Sequence, residues 1–324
     1  MIDRPDRLAL RLAPFALAAA LLAASPGVAA DGATTEVAGT TSATSAGGAD
    51  AYRQEVEAWR QKRIAGLKRE DGWLTLVGLF WLDEGENRFG SGAGNRVIFP
   101  AGTAPELAGS LERHGKEVTV KVAPGAAVTH DGKPVAELAL KVDADGGPTV
   151  LALGSLRFYV IQRGDRLGVR VKDTKSPTLA SFRGIDEFAL RPDWRVEARF
   201  EPYDPPKKIA IPNILGQVED TPSPGAVVFS KDGRTFRLDA LPGDDDGGLF
   251  LIFADATNGH ETYGAGRFLS TPPPKGGRVA VDFNEAYNPP CAFTSYATCP
   301  LPPKQNRLAV RIEAGEKKYG SGRH

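Results

Sequence analysis

Side chains that could bind a ligand or catalyse a reaction are concentrated in two stretches near the end of this sequence. The first covers residues 253–269 (FADATNGHETYGAGRFL), and the second covers residues 282–308 (DFNEAYNPPCAFTSYATCPLPPKQNRL). The second stretch contains five prolines and both cysteines of the chain. Because each proline fixes its own φ at about −65°, five of them predict a rigid irregular loop that holds polar groups in place.

Three carboxylates in these stretches are candidates for acid–base catalysis: Asp255, Glu261 and Asp282. Asp255 and Asp282 each follow an apolar run that reads as a strand, and strand ends are where a β scaffold presents functional groups. Paired carboxyl groups carry out acid–base chemistry in glycoside hydrolases. One hypothesis is therefore a hydrolase that acts on an envelope-derived or scavenged substrate.

The preferred hypothesis is a binding site for a small polar or anionic ligand, with Arg267 at its centre. The guanidinium is planar and always charged, which suits a carboxylate or a phosphate. The other side chains expected to bind the ligand are Tyr263, Asn284, Tyr287, Asn288 and Asn306.

A structural use of the same residues is the open alternative. Arg267 would then pair with Asp255 or Glu261, and the asparagines would satisfy backbone groups of a loop that covers a sheet edge. A structural or interaction protein without a pocket is the third hypothesis.

The two cysteines, Cys291 and Cys299, have seven residues between them. In an oxidising compartment this spacing favours a disulfide that closes a short loop. The alternative is a catalytic thiolate at Cys291, with His260 as base and Asn288 as the residue that orients it. The disulfide is the expectation.

The composition excludes several classes of partner. Forty basic residues balance forty acidic ones, without a basic stripe that would indicate nucleic-acid binding. Four histidines and two cysteines argue against a zinc or copper site. The acidic stretches PGDDDGG and DADGG lack the ligand spacing of calcium loops. No metal and no cofactor are expected, and nothing indicates an oligomeric state.

The first 50 residues read as segments outside the fold. Residues 1–30 combine a basic start, the apolar run LAPFALAAALLAAS and the small-residue end PGVAA, which together predict a secretory signal peptide. The run is shorter than the about 20 residues of a spanning helix, so no membrane span is expected after cleavage. Residues 31–50 read as a disordered linker. A periplasmic or secreted protein is predicted.

The remaining chain is predicted to be mainly β, with antiparallel sandwich or barrel modules and one N-terminal amphipathic helix. Apolar residues recur at helical spacing after Asp50, and alternating apolar residues then mark about eleven short strands. Asp-Gly pairs at 131–132, 145–146, 232–233 and 246–247 predict tight hairpins. A loose boundary near Gly147 would separate a helix and sandwich at 51–147 from a C-terminal β module at 148–320.

Five segments of the chain resemble a bacterial and archaeal family, domain of unknown function 1684. In the C-terminal part they are DATNGHETYGAGRFL, the whole 282–308 stretch and the closing IEAGEKKYG. Earlier in the chain they are GWLTLVGLFWLDEGENRFG and RLGVRVKDTKSPTLASFRGI. The resemblance spans roughly residues 55–320 and implies membership without an assigned activity.

Overall fold

The computed structural model describes residues 41–243 and 247–320, with side chains from Gly48 onward. The chain divides into two compact units, Met1–Gly47 and Gly48–His324, and the description below concerns the second. The predicted signal peptide lies outside the described residues. No helix in the described part of the chain is long and apolar enough to cross a membrane.

The long N-terminal helix, α1, covers Thr41–Lys68. Its start lies within the predicted 31–50 linker. Val56 and Leu67 are buried, while most of the helix surface is exposed, which confirms an amphipathic helix. Leu67 packs with Leu74, Phe182 and Phe293. Phe293 belongs to residues 282–308, which we call the proline-rich loop, so the end of the helix contacts this loop.

The described residues contain seventeen strands, one further short helix and six 3₁₀ turns. The strands are β1 Leu76–Trp81, β2 Gly85–Gly90, β3 Val97–Ile98, β4 Gly109–His114, β5 Glu117–Val122, β6 Thr129–His130, β7 Lys133–Pro134, β8 Glu137–Leu140, β9 Leu151–Leu153, β10 Leu156–Arg163, β11 Arg166–Asp173, β12 Arg195–Pro212, β13 Val218–Lys231, β14 Arg234–Pro242, β15 Leu249–Phe253, β16 Arg267–Thr271 and β17 Arg278–Asp282. The short helix, α2, is Pro177–Ser181. The 3₁₀ turns are Trp73–Thr75, Asp143–Asp145, Pro192–Trp194, Phe283–Glu285, Pro290–Ala292 and Lys304–Asn306.

Two sheets form a sandwich in the first half of the chain. One has the order β1-β11-β10-β9-β6-β7 and is antiparallel, and the other has the order β3-β2-β4-β5-β8 with a single parallel pair, β2 with β3. Their inner faces share one core, in which the rings of Phe89, Phe99 and Phe158 lie 5.1–5.7 Å apart. Aromatic contacts at these distances stabilise a core beyond the burial of their area.

The third sheet has the order β16-β15-β14-β13-β12-β17, and all its pairs are antiparallel. Its core is built around Phe283, whose ring contacts Trp194, Phe229 and Phe253. Phe283 is fully buried although it belongs to the predicted irregular loop. The mainly β, antiparallel prediction is confirmed, and the proline-rich loop is part of the core.

Two of the four Asp-Gly pairs form the predicted hairpins. Asp131 and Asp232 have φ of 48° and 50°, and each precedes a glycine that also has positive φ, at the β6–β7 and β13–β14 turns. Asp145 instead ends a 3₁₀ turn that Gly146 closes at φ 81°. The fourth pair, at 246–247, begins outside the described residues.

The module boundary near Gly147 stays a prediction. Strands from both sides of it pair in the first sheet, since β1 lies next to β11 and β6 lies next to β9. The shared core likewise contains residues from both sides, such as Phe89 and Phe158.

Candidate functional site

Asp255 and Arg267, at the centre of the predicted ligand site, form a fully buried ion pair. Asp255 follows β15 and Arg267 begins β16, and both side chains are 0% exposed. Arg267 Nη2 donates to Asp255 Oδ2 at 2.7 Å and to the carbonyl of Ile312 at 2.9 Å. Its Nη1 donates to the carbonyl of Ala314. Asp255 Oδ1 accepts from the N–H and the hydroxyl of Thr257. This geometry agrees with the structural alternative, in which Arg267 pairs with a carboxylate of the protein itself.

The side chains of Asn284 and Asn306 are also hydrogen-bonded to backbone groups of the protein itself. Asn306 bonds to the N–H and carbonyl of Asp239 and to the carbonyl of Ile252, so it bridges β14 and β15. Asn284 bonds to the N–H and carbonyl of Arg191 in the same manner. Both side chains are buried. They satisfy backbone groups that would otherwise be unpaired in the interior.

Asn288, Tyr263 and Tyr287 hold the loop against its surroundings. Asn288 Nδ2 donates to the carbonyl of Lys317, and its buried Oδ1 lacks a hydrogen bond within the described residues. The Tyr263 hydroxyl donates to the carbonyl of Cys291 at 3.2 Å, and burial raises the pKa of Tyr263. The ring of Tyr287 contacts Phe268. These three residues do not form an open pocket with Arg267, which is sealed from solvent.

The three predicted catalytic carboxylates face three different partners. Asp255 pairs with Arg267. The carboxylate of Asp282 accepts hydrogen bonds from the Tyr52 hydroxyl, at 3.0 Å to Oδ1 and 2.8 Å to Oδ2. Glu261 is paired with the exposed Arg311, whose hydrogen bond lowers the pKa of Glu261 and so favours its ionised form. In the described contacts, no two of these three carboxylate groups share a partner.

The predicted disulfide is not formed, so that prediction is wrong: Cys291 and Cys299 are free thiols. The loop does bring them together, since each Sγ accepts a hydrogen bond from the other's backbone N–H, at 3.1 and 3.4 Å. The hydrogen bond between the thiols lowers the pKa of Cys291 and raises the pKa of Cys299. The compartment argument favours oxidation but does not determine the bonding within a given fold. No described hydrogen bond joins Cys291 to His260, which is exposed.

A pocket of about 480 Å³ lies on the outer face of the first sheet, and we call it the cationic pocket. It is lined by Glu70, Asp71, Asp143, Pro148, Val150, Arg157, Tyr159, Arg170 and Lys172. Its volume lies within the range of about 300–1,000 Å³ that is typical of small-molecule sites.

Strand alternation places the cations in this pocket. Along β11, Val169 and Val171 point into the shared core, so Arg170 and Lys172 point to the opposite face. In the antiparallel register Arg170 lies opposite Tyr159, and Lys172 lies opposite Arg157 on β10. Like charges directly opposite each other destabilise a sheet, so this arrangement has a cost that packing does not explain.

Arg170 is a buried cation that has no ion pair with the described residues. The residue is 5% exposed, and its buried Nε has no hydrogen-bond partner among them. Its guanidinium carbon lies 5.1 Å from the ring centre of Trp73 and 6.0 Å from that of Tyr159. Buried charges in proteins are usually paired or bound to a ligand. Arg170 therefore has the charge and the donor groups that suit contact with an anion.

Lys172 is the second buried cation and is 7% exposed. Its Nζ donates to the carbonyl of Asp71 and lies 5.6 Å from the Trp73 ring centre. Burial, followed by the nearby charge of Arg170, lowers the pKa of Lys172 to about 8. Strongly shifted pKa values in a concave site are a marker of functional residues.

The acids that line the pocket are paired mainly with other arginines, although the charge of Asp71 also acts on Lys172. Asp71 is exposed and bonds to Arg69 at 2.8 Å, and Asp143 bonds to Arg163 at 2.7 Å. Glu70 lies 3.6 Å from Arg157. Neither Arg170 nor Lys172 forms an ion pair with these acids, so both cations can contact an anion in the pocket.

The sequence reasoning missed this pocket. Its signal was present in RLGVRVKD, where two cations alternate with valines along one strand, so they share the face opposite the core. Within the described residues, no three His, Cys, Asp or Glu side chains come together as metal ligands would.

A family described as "Protein of unknown function (DUF1684)" matches residues 180–317. Among solved structures, an uncharacterized protein of Haloarcula marismortui determined by NMR is 30% identical, with a TM-score of 0.37, over 44% of this chain and 80% of that one. The FhaA FHA domain, crystallised with an intracellular domain, is 18% identical with a TM-score of 0.21, over 29% of this chain and 97% of that one. A search of curated proteins found no match. On the family match and the sequence segments described above, the chain belongs to the DUF1684 family.

Proposed function

We propose that the protein binds a small anion in the cationic pocket. The observation that carries this proposal is Arg170, a buried guanidinium that has no ion pair with the described residues and whose Nε has no hydrogen-bond partner among them. An uncompensated buried ion costs several kcal/mol, and a bound carboxylate or phosphate would offset that cost. The sequence predicted anion binding at Arg267, but the proposal moves it to Arg170 because Asp255 already occupies Arg267.

The chemistry of the pocket indicates the kind of anion. Arg170 offers a planar fork of donors that matches a carboxylate or phosphate, and Lys172 adds a point charge beside it. Tyr159 and Val150 supply less polar walls. We therefore expect an organic anion of metabolite size, with its charged end at Arg170.

Among the described residues, no contact of Asp255, Glu261 or Asp282 favours hydrolysis over binding. Export also remains a proposal. It is supported by the signal-like pattern of residues 1–30, and cell fractionation of the full-length chain checks it.

Isothermal titration calorimetry at low ionic strength tests anion binding, with acetate, succinate, phosphate and a neutral amide as probes. Arg170→Met is expected to abolish binding of the anions while it leaves the melting temperature unchanged or raises it, because a buried unpaired charge is removed. Arg166→Met is the matched control, since Arg166 lies on the same strand but is exposed and stacks on Trp81 at 4.0 Å.

Each outcome of this comparison is informative. Anion binding that survives in Arg166→Met and is lost in Arg170→Met supports the proposal. Anion binding of equal strength in both variants, or no binding of any anion to the unmodified protein, overturns it. A large loss of stability in Arg170→Met shows instead that the arginine has a structural role.

A further inference from the structure

Lys172 differs from an ordinary structural lysine. It is more than nine-tenths buried, faces the cationic pocket, and forms no ion pair with the described residues. Its one hydrogen bond there goes to the carbonyl of Asp71, although an ammonium group has three donors. A lysine kept only for packing would bury its stem and place its charged end in water.

The charged groups around Lys172 favour the neutral amine on balance. Arg170 lies two residues earlier on the same strand, and Arg157 lies opposite on β10. The exposed acids Glu70 and Asp71 lie on the segment that precedes β1, and their negative charges favour the protonated form of Lys172. A lysine that is desolvated next to another cation is a known form of activated amine nucleophile.

We propose that Lys172 forms an imine with a carbonyl compound that also carries a carboxylate, of the 2-oxo acid class. This inference rests on the proposed function, because Arg170 would hold the carboxylate while Lys172 meets the adjacent carbonyl carbon. A 2-oxo acid carries these two groups on neighbouring atoms. The charged ends of Arg170 and Lys172 both lie 5.1–6.0 Å from the ring centres of Trp73 and Tyr159, so one small molecule beside these rings can contact both.

The reaction balances without an oxidant or a reductant. The lone pair of the neutral amine attacks the carbonyl carbon and forms a carbon–nitrogen bond. The two amine protons leave with the carbonyl oxygen as one water molecule, and a C=N bond replaces the C=O bond. The product is an imine that keeps the carboxylate beside Arg170.

The fraction of neutral amine sets the size of the expected effect. With a pKa of about 8, Lys172 is about 10% neutral at pH 7. A lysine of ordinary pKa is about 0.03% neutral at the same pH. The ratio is about 300-fold, so even with restricted access we expect imine formation at Lys172 at least about 10-fold faster than at an exposed lysine.

Reductive trapping tests the inference on the full-length protein. The protein is incubated at pH 7 with glyoxylate and sodium cyanoborohydride, and each modified lysine is quantified by peptide mass spectrometry. Exposed Lys116, in the β4–β5 turn, is the internal reference in the same sample. Acetaldehyde is the matched probe, because it carries the carbonyl without the carboxylate. Lys172→Arg keeps the charge and removes the reactive amine.

The expected result is modification of Lys172 at least 10-fold faster than Lys116 with glyoxylate, and a smaller ratio with acetaldehyde. Equal rates at the two lysines overturn the inference, and equal ratios with the two probes overturn the 2-oxo acid assignment. Calorimetry with acetate on the same preparation separates the two proposals. Acetate binding without selective modification leaves the proposed function standing, whereas the absence of both rejects both.

Discussion

The buried pair Asp255–Arg267 provides a direct test of whether these residues are structural, as the geometry indicates, or catalytic. The perturbation is Asp255→Asn, which keeps the size of the side chain and an oxygen that can accept from Thr257. It removes the charge that faces Arg267 Nη2 at 2.7 Å and places an amide donor against a guanidinium donor.

The expected loss of stability follows from the burial of both partners. Both side chains are 0% exposed, so water cannot replace the missing carboxylate. Removing one member of a buried pair costs about 3–5 kcal/mol, because the other charge is left uncompensated. At about 2–4 °C per kcal/mol for a large domain, the melting temperature should fall by about 10 °C.

Urea unfolding followed by circular dichroism measures this change. Asp83→Asn is the matched control, because Asp83 pairs with Arg96 at 3.0 Å in an exposed position. That variant should lose at most about 1 kcal/mol. In Asp255→Asn/Arg267→Met, the unpaired charge is gone, so the double variant should lose less than the sum of the two single variants. A loss below about 1 kcal/mol in Asp255→Asn, or strict additivity in the double variant, would refute a structural ion pair.

Two further predictions concern the rest of the fold. Burial raises the pKa of Glu187 and of Glu285 to about 7, from the ordinary glutamate value of 4.5. Their contribution to stability is therefore complete below about pH 4.5 and is lost as the pH rises through 7. Urea unfolding at pH 5 and pH 7.5 should show a smaller loss in Glu187→Gln/Glu285→Gln than in the unmodified protein, and equal losses would contradict the assignment. Asn306→Ala should cost about 2–4 kcal/mol, because the backbone groups of Asp239 and Ile252 lose their buried partners. Asn95→Ala is its control, because Asn95 is only half-buried and its side chain donates to one carbonyl, that of Glu106. A similar small loss in both variants would contradict the bridging role of Asn306.

The local elements were predictable because their causes are local. The Asp-Gly hairpins at 131–132 and 232–233 follow from the positive φ that this pair accepts, and the strands follow from alternation along a few residues. The first sheet, by contrast, contains strands from both sides of Gly147. The sequence did not show this, because β1 and β11 pair across about ninety residues of chain.

The roles of the polar residues were predicted least well. Arg267, Asn284 and Asn306 were expected to bind a ligand, and each instead bonds to backbone that is distant in sequence, such as Arg191 from Asn284. Phe283 belongs to the core, and Pro289, Pro302 and Pro303 are buried, but the polar groups of the loop are used within the fold. The rigidity of the loop stays a prediction. The structural alternative named the pairing of Arg267 with Asp255, whereas the backbone partners of Asn284 and Asn306 could not be read from the sequence.

The amino-acid sequence by itself determined the mainly antiparallel β fold, the amphipathic helix and the family, because periodicity, turn chemistry and segment resemblance are properties of neighbouring residues. Only the tertiary structure decided which cations have a counter-charge. Arg267 meets Asp255 in the interior, whereas Arg170 on β11 meets the rings of Trp73 and Tyr159 and no described carboxylate. Charge pairing depends on distances of a few ångström between distant parts of the chain, and a linear pattern of residue types does not contain them.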